Sequence, residues 1–181
     1  MRAQRFLIPA AFGATIVAFA FFLVRDFRPS AAIFRASTEP ANLVITTIDL
    51  DALVVPVGFE PESRRIAVPD REVGWFTQSS AVDQPGVVFL VGHSDGVFSD
   101  LYRVSIGDHL TTSLVSDIIG RVTYQVHSIE ILHRDDISMR HVLAAQDHNH
   151  ELVLMTCYGE FSDAIDTYTH RLIIRAHIID F

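Results

Sequence analysis

The chain has 181 residues with a formal net charge of −8, and all 14 of its basic residues are arginine. Its length allows one domain plus an appendage, and its single cysteine excludes an intramolecular disulfide, so packing must stabilise the fold. The 22 acidic residues argue against a nucleic-acid partner, because phosphate binding requires a basic surface.

The amino-terminal region contains an apolar stretch, Phe6 to Val24, without a charged residue. A helix of that length spans roughly 30 Å, which matches the hydrocarbon core of a bilayer. A cleaved signal peptide is the alternative, but the stretch is longer than the usual apolar core and Arg-Asp-Phe-Arg is a poor cleavage site. We therefore predict a tail at residues 1–5, an uncleaved transmembrane anchor at 6–24 and a linker at 25–42.

The rest of the chain, residues 43–181, predicts a mainly β domain with sparse helix. Short helices or turns are expected at Val73–Phe76, Val97–Tyr102 and Asp135–Arg140, with Trp75 in the core. Seven or eight short strands with so little helix indicate a closed barrel. The expected strands are Leu43–Ile48, Leu53–Phe59, Val87–Val91, Asp108–Leu114, Gly120–Leu132, Leu152–Met155 and Leu172–Ile179.

Reactive side chains lie at the ends of three of these apolar runs. Cys157 follows one run where it is expected to enter a loop, His93 follows a second run after a glycine, and Arg171 precedes the last run. A lone cysteine is more often a small buried hydrophobe than a nucleophile, so the histidine is what favours chemistry at the thiol.

The last expected strand carries a second arginine, Arg175, four residues after Arg171. Residues four apart on a strand share a face, so the face cannot distinguish them. Position can, because Arg171 faces the Cys157 end of the antiparallel neighbour and Arg175 lies roughly 13 Å farther along. We predict that Arg171 is the functional arginine.

Three motifs in this order resemble the sortase family. Val153-Leu154-Met155-Thr156-Cys157 is similar to the signature Thr-Leu-X-Thr-Cys, with Val153 in place of the usual threonine. Val88 to Ser94 resembles the family's strand that ends in Gly-His, and His170 to Ile174 resembles its closing strand with the catalytic arginine. The resemblance covers about 43–181 and implies a closed eight-stranded sortase-type barrel preceded by one transmembrane helix. Its compactness resembles the E or F type.

The resemblance also implies a function. A sortase is a cysteine transpeptidase that cleaves a carboxyl-terminal sorting signal of a secreted protein and transfers the protein to an amine acceptor of the cell envelope. Cys157 would be the nucleophile, His93 the general acid and base, and Arg171 the group that stabilises the oxyanion or substrate. Thr156 is a candidate substrate contact. The amino terminus would be cytoplasmic, and the catalytic domain would lie outside the membrane.

Two other functions remain open at this point. A membrane-tethered cysteine peptidase would use the same residues but pass the acyl group to water. A non-catalytic domain that binds an envelope protein would keep Cys157 buried and inert. No metal or other cofactor is expected, because His150 and its neighbours lie in a polar loop and the acids of 160–166 form no ordered oxygen-ligand loop.

Overall fold

The computed structural model describes residues 39–63, 65–82, 84–114, 120–146 and 149–180. Their eight strands are β1 (Pro40–Ile45), β2 (Leu50–Val57), β3 (Val73–Phe76), β4 (Gly86–Val91), β5 (His109–Leu114), β6 (Arg121–His133), β7 (His150–Ser162) and β8 (Thr167–Asp180). One short α-helix, α1 (Met139–Leu143), and 3-10 helices at Thr46–Ile48, Leu101–Arg103 and Arg134–Asp136 complete these elements.

The eight strands close into a barrel in the order β1-β2-β3-β4-β7-β8-β6-β5. Two neighbouring pairs are parallel, β2 with β3 and β4 with β7, and the other pairs are antiparallel. The predicted closed eight-stranded barrel is therefore confirmed.

The central strands bury both faces, which is why their sequences are continuous apolar runs. In β4 and β7, alternate residues such as Leu90 and Leu154 fill the barrel interior together with apolar side chains from all eight strands. The intervening residues, such as Phe89 and Val153, form a second cluster on the outer face, which is covered by α1. This alternation decides which way each polar residue beyond the apolar runs points.

Val73–Phe76 is a buried strand, so the expectation of a short helix or turn there was wrong. β3 pairs in parallel with β2 and antiparallel with β4, and all four of its residues are buried. These sheet partners outweigh the local turn signal of a Gly-Trp pair. The prediction that Trp75 belongs to the core is confirmed, since its exposed fraction is 7%.

The other expected elements lie close to their predicted places. β1 begins at Pro40 and gives way to a 3-10 helix at Thr46, and β2 ends two residues before Phe59. The turn expected at Val97–Tyr102 contains the start of the 3-10 helix Leu101–Arg103. No helix in the described ranges is long and apolar enough to cross a membrane, and the predicted anchor Phe6–Val24 lies outside them.

Candidate active site

Cys157 lies within β7 rather than at its end, so the expected loop after Met155 was wrong. β7 continues to Ser162 because its outer half pairs with β8 in a long hairpin, with an irregularity between Tyr158 and Phe161. The thiol is free and half-buried. Strand alternation places it on the same face as Val153 and Met155, the outer face of the barrel.

Arg171 lies directly opposite Cys157 in the register of β7 and β8. Opposed residues of an antiparallel pair share a face, with Cβ atoms about 4.5–5.5 Å apart. The guanidinium is held beside its own strand, because Nη1 donates to the carbonyl oxygens of Tyr168 at 2.9 Å and His170 at 2.7 Å. Nη2 lies 3.3 Å from the Thr167 hydroxyl oxygen. These bonds use three of the five guanidinium N–H donors.

His93 comes alongside Cys157 through the parallel pairing of β4 with β7. The ladder pairs Val91 with Met155, and the amide of Gly92 donates to the Met155 carbonyl at 3.3 Å. His93 lies two residues after Val91, and Cys157 lies two residues after Met155. The histidine backbone is fixed by the turn that follows, since its carbonyl accepts from the amides of Gly96 at 3.2 Å and Phe98 at 3.0 Å.

Gly92 allows this turn to fold tightly over the end of β4. A Cβ atom at this position would lie 2.6 Å from Cδ2 of Phe98 and 2.6 Å from Cγ1 of Val97. Contacts this short are not tolerated between carbon atoms, so a larger residue would push the turn away. Close packing of the turn therefore explains why a glycine precedes His93.

Thr156 points away from Cys157, towards the barrel interior, and is buried. Its hydroxyl donates to the carbonyl of Gly92 at 2.8 Å. The contact joins the cysteine-bearing strand to the histidine-bearing segment. A direct contact between Thr156 and substrate stays a prediction, and the hydrogen bond gives the residue a positioning task.

Two clefts open on Cys157. The first cleft has a volume of about 610 Å³, and the second cleft has a volume of about 400 Å³. The first cleft is lined by Phe59, Glu60, Arg65, Ile66, Val68, Val91, Gly92, His93, Arg134, Ile137, Met139, Met155, Thr156, Cys157, Thr167 and Arg171. The second cleft is lined by Ser94, Phe98, Ser99, Tyr102, Thr156, Cys157, Tyr158, Gly159, Tyr168 and Leu172. The three predicted catalytic residues Cys157, His93 and Arg171 thus share the first cleft, which Thr156 also lines.

Arg175 is fully buried and forms an ion-pair network that sequence reasoning missed. Its Nη1 donates to Oε2 of the buried Glu151 at 3.2 Å, and its Nε lies 3.5 Å from Oε1 of Glu130. Nη1 and Nη2 also donate to the carbonyls of Ala144 at 3.3 Å and His141 at 2.7 Å. Arg175 therefore fastens the end of α1 to the sheet. The only sequence signal was a charged residue inside an apolar run.

Metal coordination needs several histidine, cysteine or carboxylate side chains that converge on one point. Among residues 39–63, 65–82, 84–114, 120–146 and 149–180, no group of three such side chains does so. The ionisable groups that line the first cleft are a thiol, an imidazole, three guanidinium groups and the carboxylate of Glu60.

The family model described as "Sortase domain" matches residues 43–179 of the chain. Sortase D of Bacillus subtilis (strain 168) is 33% identical over 134 residues, which make up 74% of this chain and 62% of that protein. The chain thus spans less than two thirds of the length of this curated relative.

Solved structures share the barrel. Sortase C1 from Streptococcus agalactiae is 24% identical, and the match covers 78% of this chain and 67% of that chain with a TM-score of 0.58. Sortase A from Corynebacterium diphtheriae is 21% identical, and the match covers 80% and 62% of the two chains with a TM-score of 0.59. At these identities the likeness shows a common fold.

Proposed function

Because the chain belongs to the sortase family, we propose that it is a cysteine transpeptidase that cleaves the sorting signal of a secreted protein and joins the protein to an amine of the cell envelope. One observation carries the proposal. Cys157, the register-paired Arg171 and His93 line the same cleft, on three neighbouring strands or strand ends.

The first half of the reaction uses the first cleft. The Cys157 thiolate attacks the carbonyl carbon of the scissile peptide bond, and Arg171 directs its remaining N–H donors at the developing oxyanion. The C–N bond then breaks, and His93 gives a proton to the departing amine. A thioester between Cys157 and the donor protein remains. The apolar side chains of the cleft, such as Ile66 and Met139, suit an extended peptide with aliphatic residues.

The second half is assigned to the second cleft, which Cys157 also lines. A primary amine attacks the thioester carbon, His93 accepts its proton, and the thiolate leaves. Cys157 lines both clefts, which supports transfer to an amine because donor and acceptor can then occupy separate clefts.

We place the enzyme at the cell membrane, with Phe6–Val24 as a single anchor, a cytoplasmic amino terminus and the barrel on the outer side. The uncharged stretch between arginines supports the anchor, and the orientation rests on the resemblance to sortases. The assignment to the compact E or F type stays a prediction.

The test is formation of an acyl-enzyme. The full chain is incubated with a peptide library that has a randomised five-residue core, and adducts are detected by intact mass spectrometry. We expect Cys157→Ala to form none and His93→Ala to acylate on the order of 10² to 10⁴ times more slowly, the usual range for lost acid–base catalysis. Hydroxylamine should release the adduct of the wild-type chain.

Other outcomes identify the competing functions. A wild-type adduct that decays to free acid at the same rate with and without added amine makes the chain a peptidase. A chain that forms no adduct and whose Cys157 resists alkylation is a binding domain. Peptide turnover by Cys157→Ala would place the nucleophile elsewhere.

A further inference from the structure

The first cleft is rich in arginine, although the chain as a whole is acidic. Three lining residues are Arg65, Arg134 and Arg171, and one lining residue of the described part of the chain, Glu60, is an acid. The whole sequence has 22 acidic against 14 basic residues. The cleft therefore has the opposite charge balance from the protein around it.

Glu60 is engaged within its own turn. The Ser63 hydroxyl donates to Oε2 of Glu60 at 2.6 Å, and the backbone amide of Arg65 donates to the Ser63 hydroxyl oxygen at 3.0 Å. This arrangement holds the carboxylate beside residues 60–65, while Arg65 is an exposed residue. The positive charge on this wall of the cleft is therefore accessible.

Arg134 lines the same cleft and lies directly after β6. Its Nε lies 3.2 Å from Oδ1 of the neighbouring Asp135, whose side chain is 72% exposed. Ion pairs with such exposed acids contribute little to stability, so an incoming carboxylate can replace Asp135 at small cost. Arg171 is not assigned to this carboxylate. Some of its N–H donors bind backbone carbonyls, and the proposed function assigns the others to the oxyanion.

We propose that the first cleft selects acidic acyl donors, with Arg134, assisted by Arg65, binding an aspartate or glutamate carboxylate of the sorting signal. That the ligand is a peptide rests on the proposed function. That the peptide carries an acidic residue rests on the charge of the cleft. A guanidinium suits this task because it stays charged and its planar fork matches a carboxylate.

The first test compares two alkylating reagents on Cys157 of the full chain, anionic iodoacetate and neutral iodoacetamide. Both form an S–C bond with the thiolate and release iodide. The rate with iodoacetate divided by the rate with iodoacetamide therefore reports the local electrostatic potential. A charge about 10 Å away in a water-like dielectric changes such a ratio roughly two-fold. We expect Arg134→Gln and Arg65→Gln each to lower it about two-fold, the double variant about four-fold, and added salt to reduce the difference.

Arg121→Gln is the matched control. Arg121 is exposed at the far end of β6, on the order of 40 Å from the end near Arg134 at about 3.3 Å per residue. Its charge is screened over that distance, so the ratio should not change. Equal ratios in the wild-type chain and the Arg65→Gln/Arg134→Gln double variant overturn the inference.

The second test uses the randomised peptide library. We expect acyl-enzyme adducts of the wild-type chain to be enriched in aspartate or glutamate at one core position, and the double variant to lose that enrichment. Adducts without acidic enrichment, or with enrichment unchanged in the double variant, overturn the inference and leave the proposed function intact. If no peptide reacts, the proposed function fails, and the alkylation ratio alone decides whether the cleft selects anions.

Discussion

Arg171 and Arg175 lie four residues apart on β8, yet their surroundings predict opposite effects of removing them. Arg175 is fully buried against Glu151, whose side chain is also fully buried. Arg171 is half-buried in the first cleft, where it donates to two backbone carbonyls and a hydroxyl. We expect Arg175→Met to unfold the protein more easily and Arg171→Met to slow acylation.

The size of the effect at Arg175 follows from its ion pairs. Breaking a buried pair by removing one partner typically costs about 3–5 kcal/mol, because the other charge stays buried. Glu151 keeps the backbone amide of Gln146 at 3.3 Å and Nε2 of His127 at 3.4 Å, so the lower end, about 3 kcal/mol, is expected. For a domain of this size, that loss lowers the melting temperature by about 6–12 °C.

Arg171→Met should cost only about 1 kcal/mol, since water can replace the lost donors at its half-exposed carbonyl partners. Acylation of a sorting peptide should instead fall by about 10²-fold or more, the usual result of removing an oxyanion donor. Circular dichroism gives the melting temperature of each variant. Intact mass spectrometry gives its acylation rate, measured at a temperature below both melting temperatures.

A double variant distinguishes the loss of an ion pair from the loss of packing. Arg175→Met combined with Glu151→Gln removes both charges and should regain part of the stability lost in the single variant. The reasoning fails if Arg175→Met melts within about 2 °C of the wild-type chain. It also fails if acylation falls further in Arg175→Met than in Arg171→Met.

Three further experiments test the geometry around the thiol and the membrane anchor. Gly92→Ala should displace the turn that carries His93, with a loss of about 1–3 kcal/mol and slower acylation, whereas Gly58→Ala, whose Cβ would meet nothing within 4 Å, should change neither. Ser99→Trp should fill the second cleft, so that acylation persists while transfer to an amine slows; a loss of acylation instead would argue against separate donor and acceptor routes. Carbonate-washed membranes should retain the full chain through Phe6–Val24, and a soluble product that starts after this stretch would indicate a cleaved signal peptide.

The barrel and the arrangement of the candidate site residues were predictable because they depend on local patterns. Apolar runs such as Val87–Val91 are too short for helices and too continuous for half-exposed strands, so they predict buried strands. A reactive residue after such a run is expected at the rim of the sheet, which brought His93 and Cys157 into consideration together, although Cys157 lies within β7. The register that joins Cys157 to Arg171 was expected from their places on antiparallel neighbours, and it is confirmed.

The length of β7 was not predictable, because its outer half has the composition of a loop. Tyr158 to Ser162 contains a glycine and an acid, and Gly159 adopts a positive φ of 85°. A Cβ there would lie 2.9 Å from Nδ1 of His170, so the glycine lets the two strands of the hairpin approach. Beyond this irregularity, Phe161 packs edge-on against Tyr168 with ring centroids 5.4 Å apart. Such cross-strand contacts stabilise a strand without leaving a period-two pattern in the sequence.

The role of Arg175 was also not predictable from the sequence, because its contacts are long-range. Its partners Glu151 and Glu130 lie on two other strands, β7 and β6, and the sequence does not show that all three charges meet. Their meeting fastens the end of α1 to the sheet, while Met139 at the start of α1 lines the first cleft. The arginine that sequence reasoning set aside thus holds one wall of the cleft, and Arg171 lines the same cleft beside the thiol. Loss of Arg175 should therefore weaken peptide binding through the position of α1 before it affects the reactivity of Cys157.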